Sequence, residues 1–129
     1  MDISRALRLP ILPRQVVSFA GSGGKTTAVF KLARELAGRG PVIVTSTSHL
    51  GVWQIPLADH HLIAIHLNEL QFPADGVTLV TGEIENDRTQ PINDLILAWL
   101  CADSGKHDIP LLIEADGSRR KPLKAPAAH

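Results

Sequence analysis

Three observations predict an α/β fold with a parallel sheet flanked by helices in three layers. Short β-branched runs alternate with amphipathic helical runs along the chain. A glycine-rich turn carrying Lys and Thr separates the first such run from the first helix, and a later apolar run ends in two acids. At 129 residues the chain fits one domain, able to bury about two thirds of the surface its unfolded form exposes.

Residues 15–20, Gln-Val-Val-Ser-Phe-Ala, are predicted as a buried first strand. From Lys25 to about Ala37, the residues Val29, Leu32, Ala33 and Leu36 recur at helical spacing, and Gly38 and Gly40 stop the helix. Residues 41–47, Pro-Val-Ile-Val-Thr-Ser-Thr, form a second buried strand, so parallel pairing through a right-handed crossover is expected. Further short strands are expected at His61 to His66 and Val77 to Thr81, divided by turn signals at Pro73 and Asp75-Gly76. Asp87 to Pro91 is expected to be loop. Ile92, Leu95, Ile96, Trp99 and Leu100 mark a second helix ending near Asp103-Ser104-Gly105. Residues 109–113 form a last strand, with Pro110 tolerable only at its start. The segment 117–129, rich in proline, alanine and basic residues, has the composition of an extended connection, as if the domain were the N-terminal part of a longer protein.

The strand-to-helix turn is Gly21-Ser22-Gly23-Gly24-Lys25-Thr26-Thr27. A polyphosphate held by successive backbone N–H groups needs backbone free of side chains, which glycine provides. The helix that follows adds the positive end of its dipole. Lys25 supplies a mobile charge for the terminal phosphates and Thr26 a hydroxyl for Mg²⁺. The fold expected is therefore P-loop NTPase-like, a nucleotide-binding domain for ATP or GTP. The usual longer spacing would put a glycine where Phe19 stands. The shorter loop starting at Gly21 instead resembles that of Mur-type ligases.

Leu111-Leu112-Ile113-Glu114-Ala115-Asp116-Gly117 delivers two carboxylates to the end of the last strand. In an open parallel sheet, ligands bind at the C-terminal edge, where the phosphate loop also opens. The first and last strands are accordingly expected side by side or one apart. Period-two alternation points Glu114 and Asp116 to one side. One is expected on the metal and the other on a nucleophile or water, with Asp116 preferred for the metal and Glu114 for turnover. Thr45-Ser46-Thr47-Ser48-His49 ends the second strand with four consecutive hydroxyls. Thr45 and Thr47 are the expected contacts to Mg²⁺ or the γ-phosphate, ahead of Ser46, Ser48 and His49.

Composition narrows the partners. Thirteen basic residues balance thirteen acidic ones, so no global field draws the chain to nucleic acid or acidic membranes. The proline-broken N-terminus offers no signal peptide, and no stretch approaches the roughly 18 apolar residues of a membrane span. A cytoplasmic setting is expected. A single cysteine, Cys101, excludes an internal disulfide and is expected to be a buried thiol. The remaining histidines lack zinc-ligand spacing, and Trp53 is expected either to stack on a ring or to pack ordinarily.

Leu112-Ile113-Glu114-Ala115-Asp116-Gly117-Ser118, followed by Lys121-Pro122-Leu123-Lys124-Ala125-Pro126, resembles the YqeC-type family, accessory proteins of selenium-dependent molybdenum hydroxylases. That family shows a similar V-E-A-D-G-(A/S) segment and a G-A-G-G-K-T-T loop. Where the family tends to follow its threonines with a lysine, this chain has His49. The resemblance implies an NTP-hydrolysing factor in maturation or insertion of a molybdenum cofactor, with that cofactor or a hydroxylase apoprotein as partner. A Mur-ligase-like or kinase-like phosphotransferase and a non-catalytic nucleotide-binding module are the alternatives.

Overall fold

The computed structural model of the protein describes residues 16–19, 25–66 and 71–115. In chain order these form β1 (Val16–Phe19), α1 (Lys25–Leu36), β2 (Val42–Ser46), β3 (Leu50–Gly51), a 3₁₀ turn (Val52–Leu57), β4 (His60–Ile63), β5 (Val77–Thr81), β6 (Ile84–Glu85), β7 (Arg88–Thr89), α2 (Asp94–Lys106) and β8 (Leu111–Glu114). Five strands make one parallel sheet in the order β1-β8-β2-β5-β4. The first and last strands are thus hydrogen-bonded neighbours, as expected, with Phe19 opposite Glu114.

Alternation along the strands sorts the core into two faces. Val42, Val44, Val77, Leu79 and Leu112 pack with Val29, Leu32 and Ala33 of α1. Ile43, Val80, Leu111 and Ile113 pack with Ile96 and Leu100 of α2. Central strands covered on both faces are buried throughout, which is why β2, β5 and β8 are rich in Val, Ile and Leu, with Thr45, Ser46, Thr78, Thr81 and Glu114 as their buried polar residues. Asn93 caps α2 by accepting the Ile96 N–H at 2.8 Å, and Asp94 and Lys106 complement its dipole. β1, expected to be buried, is instead an edge strand of the described sheet, and Val16 is 40% exposed.

The segment from Asp87 to Pro91, expected as loop, holds part of a second, antiparallel sheet in the order β3-β7-β6. Asn86 and Asp87 turn this hairpin with φ of 49° and 65°, a left-handed conformation that short polar side chains tolerate. Pro110 lies just before β8. Asp116, the glycine-rich turn residues Gly21, Ser22, Gly23 and Gly24, and the segment 117–129 lie outside the described residues.

Candidate functional site

The C-terminal ends of β1, β8 and β2 stand side by side, and α1 starts above them at Lys25. Which side chains meet there is decided by strand parity. Residues on the α1 face are Val42, Val44 and Ser46 on β2, and Leu112 and Glu114 on β8; the register pairs Ser46 directly with Glu114.

Glu114 is 4% exposed, and three hydroxyls converge on it. Thr26 Oγ1, in the first turn of α1, donates to Oε2 at 2.7 Å across 88 positions of sequence. Ser46 Oγ donates to Oε1 at 2.9 Å and Ser48 Oγ to the same oxygen at 3.0 Å. Ser46 has one proton and also lies 3.1 Å from the Ser48 carbonyl; the carboxylate is the stronger acceptor. The Ser48 N–H donates to Ser46 Oγ at 2.9 Å, and the Thr47 N–H donates to the Glu114 carbonyl at 3.0 Å, so the bend after β2 is held on both sides. Among the described side chains no Lys or Arg pairs with Glu114. Buried charges are costly unless they are paired or coordinate a metal.

Thr45 does not join this cluster. Its hydroxyl donates to the Val80 carbonyl at 2.8 Å, inside the sheet. Odd-numbered residues of β2 face α2, so Thr45 lies on the wrong side of the sheet from α1; Ser46 and Ser48, ranked lower from sequence, hold the positions expected of Thr45 and Thr47. Thr47 is half-buried and contributes its backbone N–H. Thr27 is exposed on α1. The expected metal role of Asp116 falls on a residue outside those described; the acid that the Thr26 hydroxyl meets among the described residues is Glu114.

The polar row continues along the same edge. The register Thr45 to Val80 brings Thr81 next after Ser46, and both are buried. Thr81 Oγ1 donates to the Gly82 carbonyl at 2.8 Å, so the 2.8 Å contact with His61 requires His61 Nε2–H to be the donor. Burial pushes the His61 imidazole below its ordinary value of 6.5. Neither residue was singled out by sequence reasoning, since a histidine and a threonine twenty positions apart carry no spacing signal. His49 Nδ1 contacts the Thr89 carbonyl at 3.1 Å and ties the bend to the small sheet.

Two further expectations resolve away from this cluster. Cys101 is half-buried, and partial burial pushes its thiol up. Trp53 is 68% exposed rather than packed in the core, its ring lying over Gly51, where an added Cβ would come within 2.3 Å of ring carbons. Among the described residues no helix is long and apolar enough to cross a membrane.

The YqeC protein family profile matches residues 17–129, which includes every strand and helix described above except Val16, the first residue of β1. The chain belongs to the YqeC family. Over 122 residues it is 31% identical to a protein of Escherichia coli (strain K12) described as "Uncharacterized protein YqeC". That match covers 88% of this chain and 45% of the relative, so the chain spans about half the relative's length. No solved structure matches. Glu114, Thr26, Ser46 and Ser48 all fall within the part matched to the YqeC family.

Proposed function

We propose that this YqeC-family chain binds a Mg²⁺-nucleoside triphosphate, ATP or GTP, at the C-terminal edge of β1, β8 and β2, and hydrolyses it slowly. The observation that carries this reading is the 2.7 Å hydrogen bond from Thr26 Oγ1 to Glu114 Oε2. It joins the end of the glycine-rich loop to the acid of the last strand, the two groups that must share one metal-bound phosphate if the loop is a phosphate cradle.

The donor set fits Mg²⁺: a carboxylate and a hydroxyl are hard oxygen donors, and Mg²⁺ is commonly held by one or two carboxylates, with phosphates and water completing its shell. Thr26 and Glu114 would hold the ion, and when bound it neutralises charge on the phosphates. The loop residues Gly21, Ser22, Gly23 and Gly24 would bind the phosphates through backbone N–H groups, with Lys25 as mobile cation and Thr27 following on the helix. Asp116, two residues beyond Glu114 in sequence, would orient the attacking water. The role as accessory to a molybdenum hydroxylase or its cofactor is supported by the family resemblance of the Glu114 to Pro126 segment.

The test is thermal unfolding of the purified protein with ATP or GTP, in Mg²⁺ and in EDTA. A ligand binding only the native state at about 100 times its Kd adds about 2.7 kcal/mol. The parent is expected to show a Mg²⁺-dependent rise in Tm that Lys25→Ala abolishes; equal responses of parent and variant would remove the loop from the site.

A further inference from the structure

The two oxygens of Glu114 are not equivalent. Oε1 receives both serine hydroxyls, Ser46 at 2.9 Å and Ser48 at 3.0 Å, whereas among the described residues Oε2 receives Thr26. A carboxylate has about four acceptor positions, and the terminal torsion of Glu is broad, so its orientation is set by its partners. Here the partners of Oε1 are themselves fixed. Ser46 lies opposite Glu114 in the β2–β8 ladder and is 3% exposed. Ser48 is anchored by its own N–H on Ser46 Oγ. The carboxylate is therefore gripped by one oxygen from the β2 side, which turns the other toward the start of α1.

We propose that Ser46 and Ser48 are positioning residues: they hold Glu114 through Oε1 so that Oε2, paired with Thr26 Oγ1, is the oxygen presented to the divalent cation of the nucleotide. This rests on the proposed function and assigns roles within that site. The serines also supply two hydrogen bonds to a carboxylate that is 4% exposed. Their removal acts on the cation before it acts on the nucleotide.

The experiment is calorimetric titration of nucleotide into parent, Ser46→Ala, Ser48→Ala and the double variant over a series of Mg²⁺ concentrations, with a parallel series in EDTA. Partners that orient a metal ligand typically contribute about 10–100-fold to metal affinity. Mg²⁺ affinity is expected to fall at least about 10-fold in each single variant and further in the double, with metal-free nucleotide affinity unchanged. Ser48→Thr, which keeps the hydroxyl at a half-buried position, is expected to restore the parent value. If Ser46→Ala does not fold, Ser48→Ala and Ser48→Thr decide the matter. A parent that binds nucleotide with Mg²⁺ dependence, beside alanine variants of unchanged Mg²⁺ affinity, overturns the positioning role and leaves the proposed function standing. Equal loss with and without Mg²⁺ also overturns it, since that is a structural effect. A parent with no Mg²⁺-dependent binding overturns the proposed function itself.

Discussion

The two edges of the parallel sheet handle charge in opposite ways. At the N-terminal edge a cavity of about 560 Å³ is lined by Arg34, Asp59, His60, Asp75 and Gly76 among others. Its Arg34 and Asp59 are already paired with each other. Arg34 Nη1 meets Asp59 Oδ2 at 2.8 Å, Arg34 Nη2 donates to the Leu57 carbonyl, and the same Asp59 oxygen accepts the Val77 N–H at 2.8 Å. That N–H, with the guanidinium beside it, holds the Asp59 carboxyl below its ordinary range. At the C-terminal edge Glu114 is buried, and its side-chain partners among the described residues are hydroxyls. Among the described side chains, the N-terminal edge answers Asp59 with a guanidinium and the C-terminal edge answers Glu114 with hydroxyls, which makes the latter the open edge.

Replacing Glu114 with Ala tests the contrast most severely. It leaves the hydroxyls of Thr26, Ser46 and Ser48 without their acceptor, at about 1 kcal/mol each, so a loss of about 3 kcal/mol is expected in urea unfolding. Every Mg²⁺-dependent response to nucleotide should vanish with it. A Glu114→Ala protein that keeps its Mg²⁺ response would move the chemistry to another part of the molecule.

Gly76→Ala applies the same probe to the opposite edge. Gly76 has φ of +82°, and an added Cβ would stand 2.7 Å from Asp59 Oδ2. The left-handed backbone alone costs about 1–2 kcal/mol for a residue with a side chain. The variant is expected to lose about that much stability and to keep the parent's response to nucleotide at saturating ligand. A lost response would show that the N-terminal edge is coupled to the site.

The difference between the edges also explains how much of the molecule was legible in the sequence. Long-period patterns carried the architecture: α1, β2, β5, α2 and β8 each bury enough apolar residues to leave a trace, and Glu114 at the end of β8 fell beside Phe19 at the end of β1 as the parallel connection requires. β3, β6 and β7 have two residues each, too few for any period, and the hairpin turn is Asn86-Asp87 rather than a pair containing glycine. The exposure of β1 on one face depends on its place at the sheet edge, which its own Val-Val-Ser-Phe cannot encode. In the Thr45 to Ser48 run all four residues carry hydroxyls, so composition could not separate the two faces. Strand parity relative to Glu114 does separate them: counting back from the β2–β8 register selects Ser46 over Thr45. That register is a tertiary fact, which is why residue type alone favoured the threonines.

His61 offers the smallest expected effect and sharpens the boundary of the open edge. It lies on β4, beyond β5, and donates to Thr81, which the register brings next to Ser46. Burial places its folded-state value below the ordinary 6.5, so between the two values the unfolded chain binds more protons than the native one. Stability from this group is therefore complete above the ordinary value and is lost as pH falls through the folded one. Gln at this position retains an N–H donor for Thr81 Oγ1 but does not titrate. The difference in urea midpoint between parent and His61→Gln, followed from about pH 8 to about pH 5, should be constant at the upper end and shift against the parent as the pH drops. A flat difference over the whole range would mean that the ring is not desolvated as the structure has it. The Mg²⁺-dependent response to nucleotide should survive in His61→Gln, because three strand intervals of about 4.8 Å separate β4 from β8. Its loss would extend the open edge across β5 to β4 and make Thr81 and His61 part of the same site as Glu114.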